Sequence, residues 1–337
     1  MKRSGTRGGV SNGSAISFPG NLSPKNKKLA DSSMTTGLVS GIKHLEIHDG
    51  PGIRTTLFLQ GCTLRCAWCH NPESISHEPL LLYKDIRCES CGRCVAACPS
   101  GAQALDAAGK HVFDRSKCRH CGRCVDACLL DVLSFSAREV SVDDALALLL
   151  EDRDFYEQSG GGVTLSGGEP LCQVDFCVEL LRRLRTEGVH TAVDTSGNVP
   201  WEAFARVLPH TSLFLYDLKL MDSEQHRALT GCGNELILSN LRRLAGQGVP
   251  IELRMPLIPT LTLSPAECRA AGEFLAALPH SVTVRLLAYH DYARDKYRYV
   301  GLADSMPRVP RPSVDDLEEA AGILRGYGLR VINSLAE

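Results

Sequence analysis

The 337-residue chain has almost no net charge and no long apolar run. Lysine and arginine number 37 against 39 aspartate and glutamate, a formal net charge of −2. Binding to nucleic acid or to an anionic membrane surface draws on a basic excess, so neither partner is expected. No stretch approaches the roughly 18–20 apolar residues of a membrane span. The longest candidate, residues 145–150, belongs to an amphipathic helix. Lys2 and Arg3 precede Ser, Gly and Asn instead of an apolar segment, so no secretory signal is read. These absences predict a cytoplasmic protein.

What is present is apolar mass and cysteine. Hydrophobic residues make up 44% of the chain, enough to bury one large domain or a domain with an insertion. Fifteen cysteines are a heavy load for a compartment that disfavours disulfides. Eleven of them fall between Cys62 and Cys128 in short regular spacings, and such clustering points to metal. Cys172, Cys177, Cys232 and Cys268 are scattered and read as small apolar side chains.

Residues 1–36 are rich in Ser, Gly, Asn and Lys without apolar periodicity and read as a disordered tail, with Met34 an alternative start. Strand and helix signals then alternate. Strands are predicted at 54–60, 163–166, 189–194, 213–218, 251–256 and 282–287. Helices are predicted at 141–151, 175–187 and 264–278, the last with Ser264 as N-cap, Pro265 at the first position and Glu267 closing a capping box. A helix at 314–326 and a strand at 330–332 end the chain. Repeated alternation implies parallel strands with right-handed crossovers, and six units predict an α/β fold built as an open, partial (β/α)6 barrel. Residues 79–137 break the rhythm with eight cysteines and an internal repeat. They read as a small domain inserted into a core formed by 37–78 and 138–337.

Cys62-x3-Cys66-x2-Cys69 directly follows the first of these predicted strands. Three thiolates on a tight loop can hold three irons of a [4Fe–4S] cube and leave the fourth without a protein ligand. An open iron accepts a bidentate molecule, and the amino nitrogen and carboxylate of S-adenosylmethionine (SAM) suit it. The competing reading is a zinc knuckle, although structural zinc prefers four protein ligands. At the end of the second predicted strand stands Ser166-Gly167-Gly168-Glu169-Pro170, whose bare backbone lets amides approach a charged ligand. Polar groups follow the later strands: Asp194-Thr195-Ser196-Gly197, then Asp217-Leu218-Lys219, Arg254, and His290. Singly each reads as a solvated loop residue; together they mark the strand ends where barrel chemistry collects. Finally, Cys88-x2-Cys91-x2-Cys94-x3-Cys98 recurs as Cys118-x2-Cys121-x2-Cys124-x3-Cys128. This is ferredoxin spacing, in which the last cysteine of each run ligates the other cluster. One cluster would use Cys88, Cys91, Cys94 and Cys128, the other Cys118, Cys121, Cys124 and Cys98. A pair of four-cysteine zinc sites is the alternative.

The run Gly61-Cys62-Thr63-Leu64-Arg65-Cys66-Ala67-Trp68-Cys69-His70-Asn71 resembles the cluster loop of radical SAM enzymes. Asp49-Gly50-Pro51-Gly52-Ile53-Arg54 before it resembles the signature of glycyl-radical-enzyme activating enzymes, the family of pyruvate formate-lyase activase. The similarity extends over residues 41–331. The resemblance implies that a reduced cluster cleaves SAM to methionine and a 5′-deoxyadenosyl radical. That radical takes a hydrogen from one backbone glycine of a partner enzyme. It further implies that Gly167, Gly168, Glu169, Lys219 and His290 contact SAM and that Trp68 and His70 flank its adenine end. Asp194, Thr195 and Asp217 match positions that bind a monovalent cation near SAM; Ser196, Leu218 and Arg254 are counted with the cofactor-binding set, Arg254 with the least defined task. The eight-cysteine insert, absent from pyruvate formate-lyase activase, places the chain nearer a longer class. Partners of that class include isethionate sulfite-lyase, choline trimethylamine-lyase, glycerol dehydratase, 4-hydroxyphenylacetate decarboxylase and benzylsuccinate synthase. The expected cofactors are therefore three [4Fe–4S] clusters and SAM, with a flavodoxin or ferredoxin-type reductant. The insert is read as an electron relay, with a structural or docking role as the alternative. Two other functions stay open: a radical SAM enzyme acting on a small molecule, and an iron–sulfur electron carrier.

Overall fold

A computed structural model describes residues 35–333. The tail reading, residues 1–36, lies outside the described residues except for its last two, and Thr36 already opens a strand.

In chain order the elements begin with β1 (Thr36–Glu46) and β2 (Arg54–Leu59). The cysteine-rich segment follows with β3 (Leu81–Tyr83), α1 (Arg93–Ala97), β4 (Gln103–Leu105), β5 (His111–Phe113), α2 (Arg123–Asp126) and β6 (Leu133–Phe135). Then come β7 (Arg138–Ser141), α3 (Val142–Leu149), α4 (Arg153–Ser159), β8 (Gly162–Gly167), α5 (Val174–Thr186) and β9 (His190–Thr195). The chain continues through α6 (Trp201–Val207), β10 (Leu213–Asp217), α7 (Ser223–Thr230), α8 (Glu235–Ala245) and β11 (Ile251–Leu257). It ends with α9 (Pro265–Ala276), β12 (Thr283–Ala288), α10 (Arg294–Val300), α11 (Val314–Gly326) and β13 (Arg330–Asn333).

Nine strands form one open sheet in the order β13-β12-β11-β10-β9-β8-β2-β1-β7. From β2 to β13 every neighbouring pair is parallel. Spatial order follows chain order, so all crossovers turn the same way and every parallel strand points its C-terminal end to one rim. The six predicted strands are therefore adjacent members of one mixed α/β sheet. Three strands extend it. β13 adds a seventh parallel strand, and β1 and β7 add an antiparallel edge. The reading of residues 54–60 as the first strand is corrected accordingly: β1 precedes it and pairs with it.

The largest apolar cluster fills the space between sheet and helices, with Leu57, Leu165, Phe176, Leu180, Phe204, Phe214, Leu253 and Leu324 all essentially inaccessible. α5 shows why such segments fold as helices. Phe176, Cys177, Leu180, Leu181 and Leu184 recur at helical spacing and bury one stripe. α3 is capped by Ser141, which accepts from Asp144 N, and α9 by Ser264, which accepts from Glu267 N. The predicted capping box at α9 is only half formed. The Glu267 carboxylate instead accepts from Met221 N, tying α9 to the loop after β10.

The cysteine-rich segment is not featureless. β3 pairs with β6 from Leu81↔Phe135 to Tyr83↔Leu133, bringing the two ends of the segment together. β4 pairs with β5, and α1 and α2 are single turns that each begin after a left-handed glycine, Gly92 and Gly122. Arg115 anchors the segment to the core by donating to Tyr299 O at 2.6 Å, and it braces β3 within the segment by donating to Leu81 O at 2.5 Å.

Candidate functional site

The loop carrying Cys62, Cys66 and Cys69 leaves β2 at the C-terminal rim and is clamped on both flanks. Gly61 N and Cys62 N donate to Ser74 O and Ile75 O at 2.8 and 3.1 Å. Arg65 N and Ala67 N donate to Thr230 O and Leu229 O at 2.7 and 2.9 Å, against the end of α7. The Tyr297 hydroxyl donates to Cys69 O at 3.0 Å. Trp68 is buried in a satellite cluster with Leu220, Ile258, Tyr289, Tyr297 and Met306. A loop held this way cannot drift, so the three thiols keep fixed directions.

All three thiols line one cavity of about 640 Å³, together with Trp68, His70, Gly167, Gly168, Asp194, Thr195, Ser196, Asp217, Lys219, Arg254 and His290. That volume lies in the range of small-molecule sites, about 300–1,000 Å³. Thus eleven positions singled out in the sequence, besides the cysteines, converge on one space. Burial pushes the three thiols up, Cys69 to about 12. They are neutral in the free protein and become ligands only where a metal group displaces their protons. Three inward-facing soft donors on a rigid loop, beside a cavity rich in polar groups, fit an iron–sulfur cube with an open iron.

Two of the predicted ligand contacts sit elsewhere. The Glu169 side chain turns away from the cavity and is fully buried. It accepts from Thr195 Oγ1 at 2.9 Å, Ser196 N at 2.8 Å, Ser196 Oγ at 2.7 Å and Leu171 N at 3.2 Å. Burial pushes it up, against the pull of those donors. Glu169 therefore positions the turn after β9. Leu218 is also buried outside the cavity, and its N donates to Arg254 O at 2.9 Å. The two glycines have a reason beyond ligand approach. A Cβ on Gly167, whose φ is +123°, would stand 2.2 Å from Leu59 N, and one on Gly168 would stand 2.3 Å from Gly61 O. They let the end of β8 pack against the backbone that leads into the cysteine loop. Gly168 N and Glu169 N complete the join by donating to Leu59 O and Gly61 O.

The charged groups of the rim are paired. Lys219 Nζ donates to Asp217 Oδ2 at 2.7 Å. Burial alone would lower the Lys219 pKa, but the Asp217 carboxylate outweighs it and keeps the ammonium charged. Asp194 accepts from Ser166 Oγ at 2.7 Å and lies 3.7 Å from Arg254. Burial pushes its carboxyl up, with Arg254 opposing. Among the described residues, no three Cys, His, Asp or Glu side chains converge as a single-ion site. His70 stacks on His290 with ring centroids 4.3 Å apart, and its Nε2 donates to His290 O at 3.0 Å. Burial lowers His70 to about 4 and pulls His290 down as well, so both rings are neutral near pH 7. Among the described residues, His290 Nδ1 is buried without a hydrogen-bond partner, and Arg254 Nε has only the Glu252 carboxylate at 3.8 Å; a polar ligand in the cavity can satisfy such a group.

Arg254 gains a role. It donates to His48 O at 2.7 Å and approaches Asp49 Oδ1 at 3.4 Å, tying the loop at residues 47–53 to β11. Arg54, at the other end of that signature, is wholly buried. It donates to Thr164 Oγ1 at 2.7 Å, Val163 O at 2.7 Å and Pro51 O at 3.2 Å. The sequence marks this run as a signature but shows no task for Asp49 or Arg54. An arginine amid Gly, Pro and Ile just before an apolar strand was the available signal.

In the cysteine-rich segment, Cys88, Cys91, Cys94 and Cys128 open on one cavity of about 190 Å³. Cys98, Cys118, Cys121 and Cys124 line a second, tighter one. Each cavity takes three cysteines from one repeat and the fourth from the other.

A family profile described as a 4Fe–4S single cluster domain matches residues 48–208. The chain is 41% identical over 285 residues to the trans-4-hydroxy-L-proline dehydratase activating enzyme of Clostridioides difficile, covering 84% of this chain and 94% of that one. It is also 41% identical over 303 residues to the isethionate sulfite-lyase activating enzyme of Desulfovibrio desulfuricans, covering 88% and 97%. Among solved structures, a domain of pyruvate-formate lyase-activating enzyme from Bacteroides vulgatus is 35% identical, covering 52% of this chain and 99% of that one, with a TM-score of 0.46. With near-complete overlap of such relatives and three cysteines facing a polar cavity at the strand ends, the chain belongs to the glycyl-radical-enzyme activating enzymes of the radical SAM class.

Proposed function

We propose that this chain holds SAM in the cavity beside Cys62, Cys66 and Cys69 and delivers a hydrogen abstraction to a backbone glycine of a partner lyase, decarboxylase or dehydratase. Isethionate sulfite-lyase, choline trimethylamine-lyase and glycerol dehydratase are the candidate partners; the relatives named above also point to trans-4-hydroxy-L-proline dehydratase. The observation that carries the reading is the convergence of the three thiols, the Gly167–Gly168 backbone, Asp194, Asp217, Lys219 and His290 on one cavity. The cluster, when bound and reduced, supplies the electron that splits SAM.

The chain's own residues have separable tasks. Gly167 and Gly168 present bare backbone to the ligand. The neutral His70–His290 stack, with Trp68, offers a flat wall for adenine. Asp194, Thr195 and Asp217 are the candidate ligands of a monovalent cation, a role that requires Lys219 and Arg254 to release their present carboxylate partners in part. Leu64, Trp68, Ile258 and Tyr289 narrow the cavity and keep water from a reactive carbon radical. Residues 79–137 form the inserted ferredoxin-like domain. Its Cys88, Cys91, Cys94 and Cys128 hold one further [4Fe–4S] cluster, and Cys98, Cys118, Cys121 and Cys124 hold another. The crossed lining of the two cavities supports this assignment. The insert passes single electrons from a flavodoxin or ferredoxin-type donor, in the cytoplasm.

The test mixes reduced protein, SAM and each candidate partner without oxygen. The expected result is an organic radical doublet in electron paramagnetic resonance, formed with methionine and 5′-deoxyadenosine. The doublet collapses when the partner's glycine is deuterated at the alpha carbon. SAM cleavage without that doublet, for every candidate partner in the genome, would replace the proposal with a small-molecule radical reaction.

A further inference from the structure

We propose that a buried His111–Gln103 pair links the two cysteine sites of the insert and makes them unequal. In this proposal the Gln103 amide raises the reduction potential of the cluster held by Cys98, Cys118, Cys121 and Cys124 above that of its twin. The inference rests on the two-cluster reading above.

The cysteines repeat at an interval of thirty residues, Cys88 to Cys118 and onward, but the lining does not. Gln103 lines the cavity of Cys98, Cys118, Cys121 and Cys124. Thirty residues on stands Leu133, which lines the other cavity beside His111. One site thus has an amide where its twin has an apolar side chain.

The polar pair is fixed and dry. Gln103 and His111 are 2% and 3% exposed. His111 Nε2 lies 2.7 Å from Gln103 Oε1, and the amide oxygen can only accept, so Nε2 carries the proton. The amide nitrogen then faces Cys124 and donates to its Sγ at 3.6 Å. On the other side the imidazole lies 3.6 Å from Cys88 Sγ through Nδ1 and 3.5 Å from Cys94 Sγ through Nε2. His111 N donates to Ser90 Oγ at 3.0 Å, and the Tyr83 ring packs edge-on against the imidazole at 4.6 Å. A single hydrogen-bonded unit therefore touches ligands of both sites.

Its two ends are chemically different. Toward Cys124 it presents an amide N–H whose acceptor, among the described residues, is the Cys124 sulfur. Toward Cys88 it presents the unprotonated Nδ1, and toward Cys94 a proton already committed to Gln103. Reducing a cluster by one electron adds negative charge that spreads onto its thiolates. An N–H aimed at a ligand sulfur stabilises that form, and hydrogen bonds to sulfur are among the levers that set cluster potentials. Burial strengthens the effect because no water competes.

The experiment is an anaerobic redox titration of the full-length reconstituted protein, read by electron paramagnetic resonance. Wild type is compared with Gln103→Leu and Gln103→Glu. Cys121→Ala, which removes a ligand touching neither side chain, identifies which wave belongs to the second site. Gln103→Leu should lower that wave's reduced-to-oxidised ratio about tenfold at fixed potential, about 59 mV for one electron. The waves of the Cys88, Cys91, Cys94 and Cys128 cluster and of the Cys62, Cys66 and Cys69 cluster should move much less. Gln103→Glu, which restores an acceptor to His111 but sets a carboxylate beside Cys124, should lower the same wave at least as far. Iron near twelve atoms per chain, four per cube, shows that the variants are intact. Intact iron with every midpoint unmoved in both variants overturns this inference alone. Iron near four with bound zinc in wild type overturns the two-cluster reading and this inference with it.

Discussion

Arg54 offers the sharpest test of how the rim is built. Its guanidinium has no carboxylate within ion-pair distance among the described residues, yet it is wholly buried and donates to Thr164 Oγ1, Val163 O and Pro51 O. Burial lowers its pKa to about 10, which corresponds to roughly 3 kcal/mol of uncompensated desolvation. The three shortest of its hydrogen bonds contribute about 2 kcal/mol each, roughly 6 in all, and two longer ones, to His190 Nδ1 at 3.3 Å and His190 O at 3.4 Å, add little. The balance favours the native arginine by about 3 kcal/mol. Arg54→Met removes both the charge and the bonds and should lose about that much. Arg54→Lys should lose at least as much, because it keeps a buried charge without the planar fork that reaches three acceptors. Urea unfolding of the cluster-free protein under reducing conditions, followed by circular dichroism, gives both values. A loss under about 1 kcal/mol for Met would refute the reasoning. So would a lysine variant more stable than the methionine one. The same substitution should loosen Asp49, whose backbone oxygen accepts from the Thr164 hydroxyl that Arg54 holds.

Two further outcomes follow from buried groups at the rim. Glu169→Gln must turn one amide N–H toward a backbone donor, either Leu171 N or Ser196 N, so a stability loss of about 1–3 kcal/mol is expected. SAM binding measured by equilibrium dialysis should weaken with it, because Thr195 and Ser196 line the cavity; unchanged stability and binding would remove Glu169 from its positioning role. His226, buried against Cys232 O and Thr230, is held below the ordinary imidazole range chiefly by burial. The unfolded chain takes up that proton first, so stability should rise with pH toward and through about 6.5 and fall on acidification. His226→Asn, measured by urea unfolding at pH 5 and pH 8, should flatten that dependence, and an unaltered slope would contradict it.

The six parallel strands were legible because each is a short apolar run bounded by a turn, and a buried parallel strand needs no partner pattern to be seen. β1 was not. Its TGLVSGIKHLE run mixes two glycines with charged residues, and it becomes a strand only by pairing with β2 on one side and with β7, about a hundred residues later, on the other. The positions that converge on the cavity were legible from residue type and strand-end placement, since all parallel strands end on one rim. The regular cysteine spacings were legible as well, because each run lies on one local stretch of chain, whereas the crossed grouping of Cys98 and Cys128 appears only in the fold. Side-chain direction was decided only by the tertiary structure. Glu169 follows two cavity-lining glycines yet points inward, because buried donors at Thr195 and Ser196 claim its carboxylate. Arg254 holds the loop at residues 47–53 through contacts more than two hundred residues apart. The apposition of His111 and Gln103 between the two cysteine sites also depends on the fold. β4 and β5 pair across a turn, and no spacing along the chain encodes where their side chains meet.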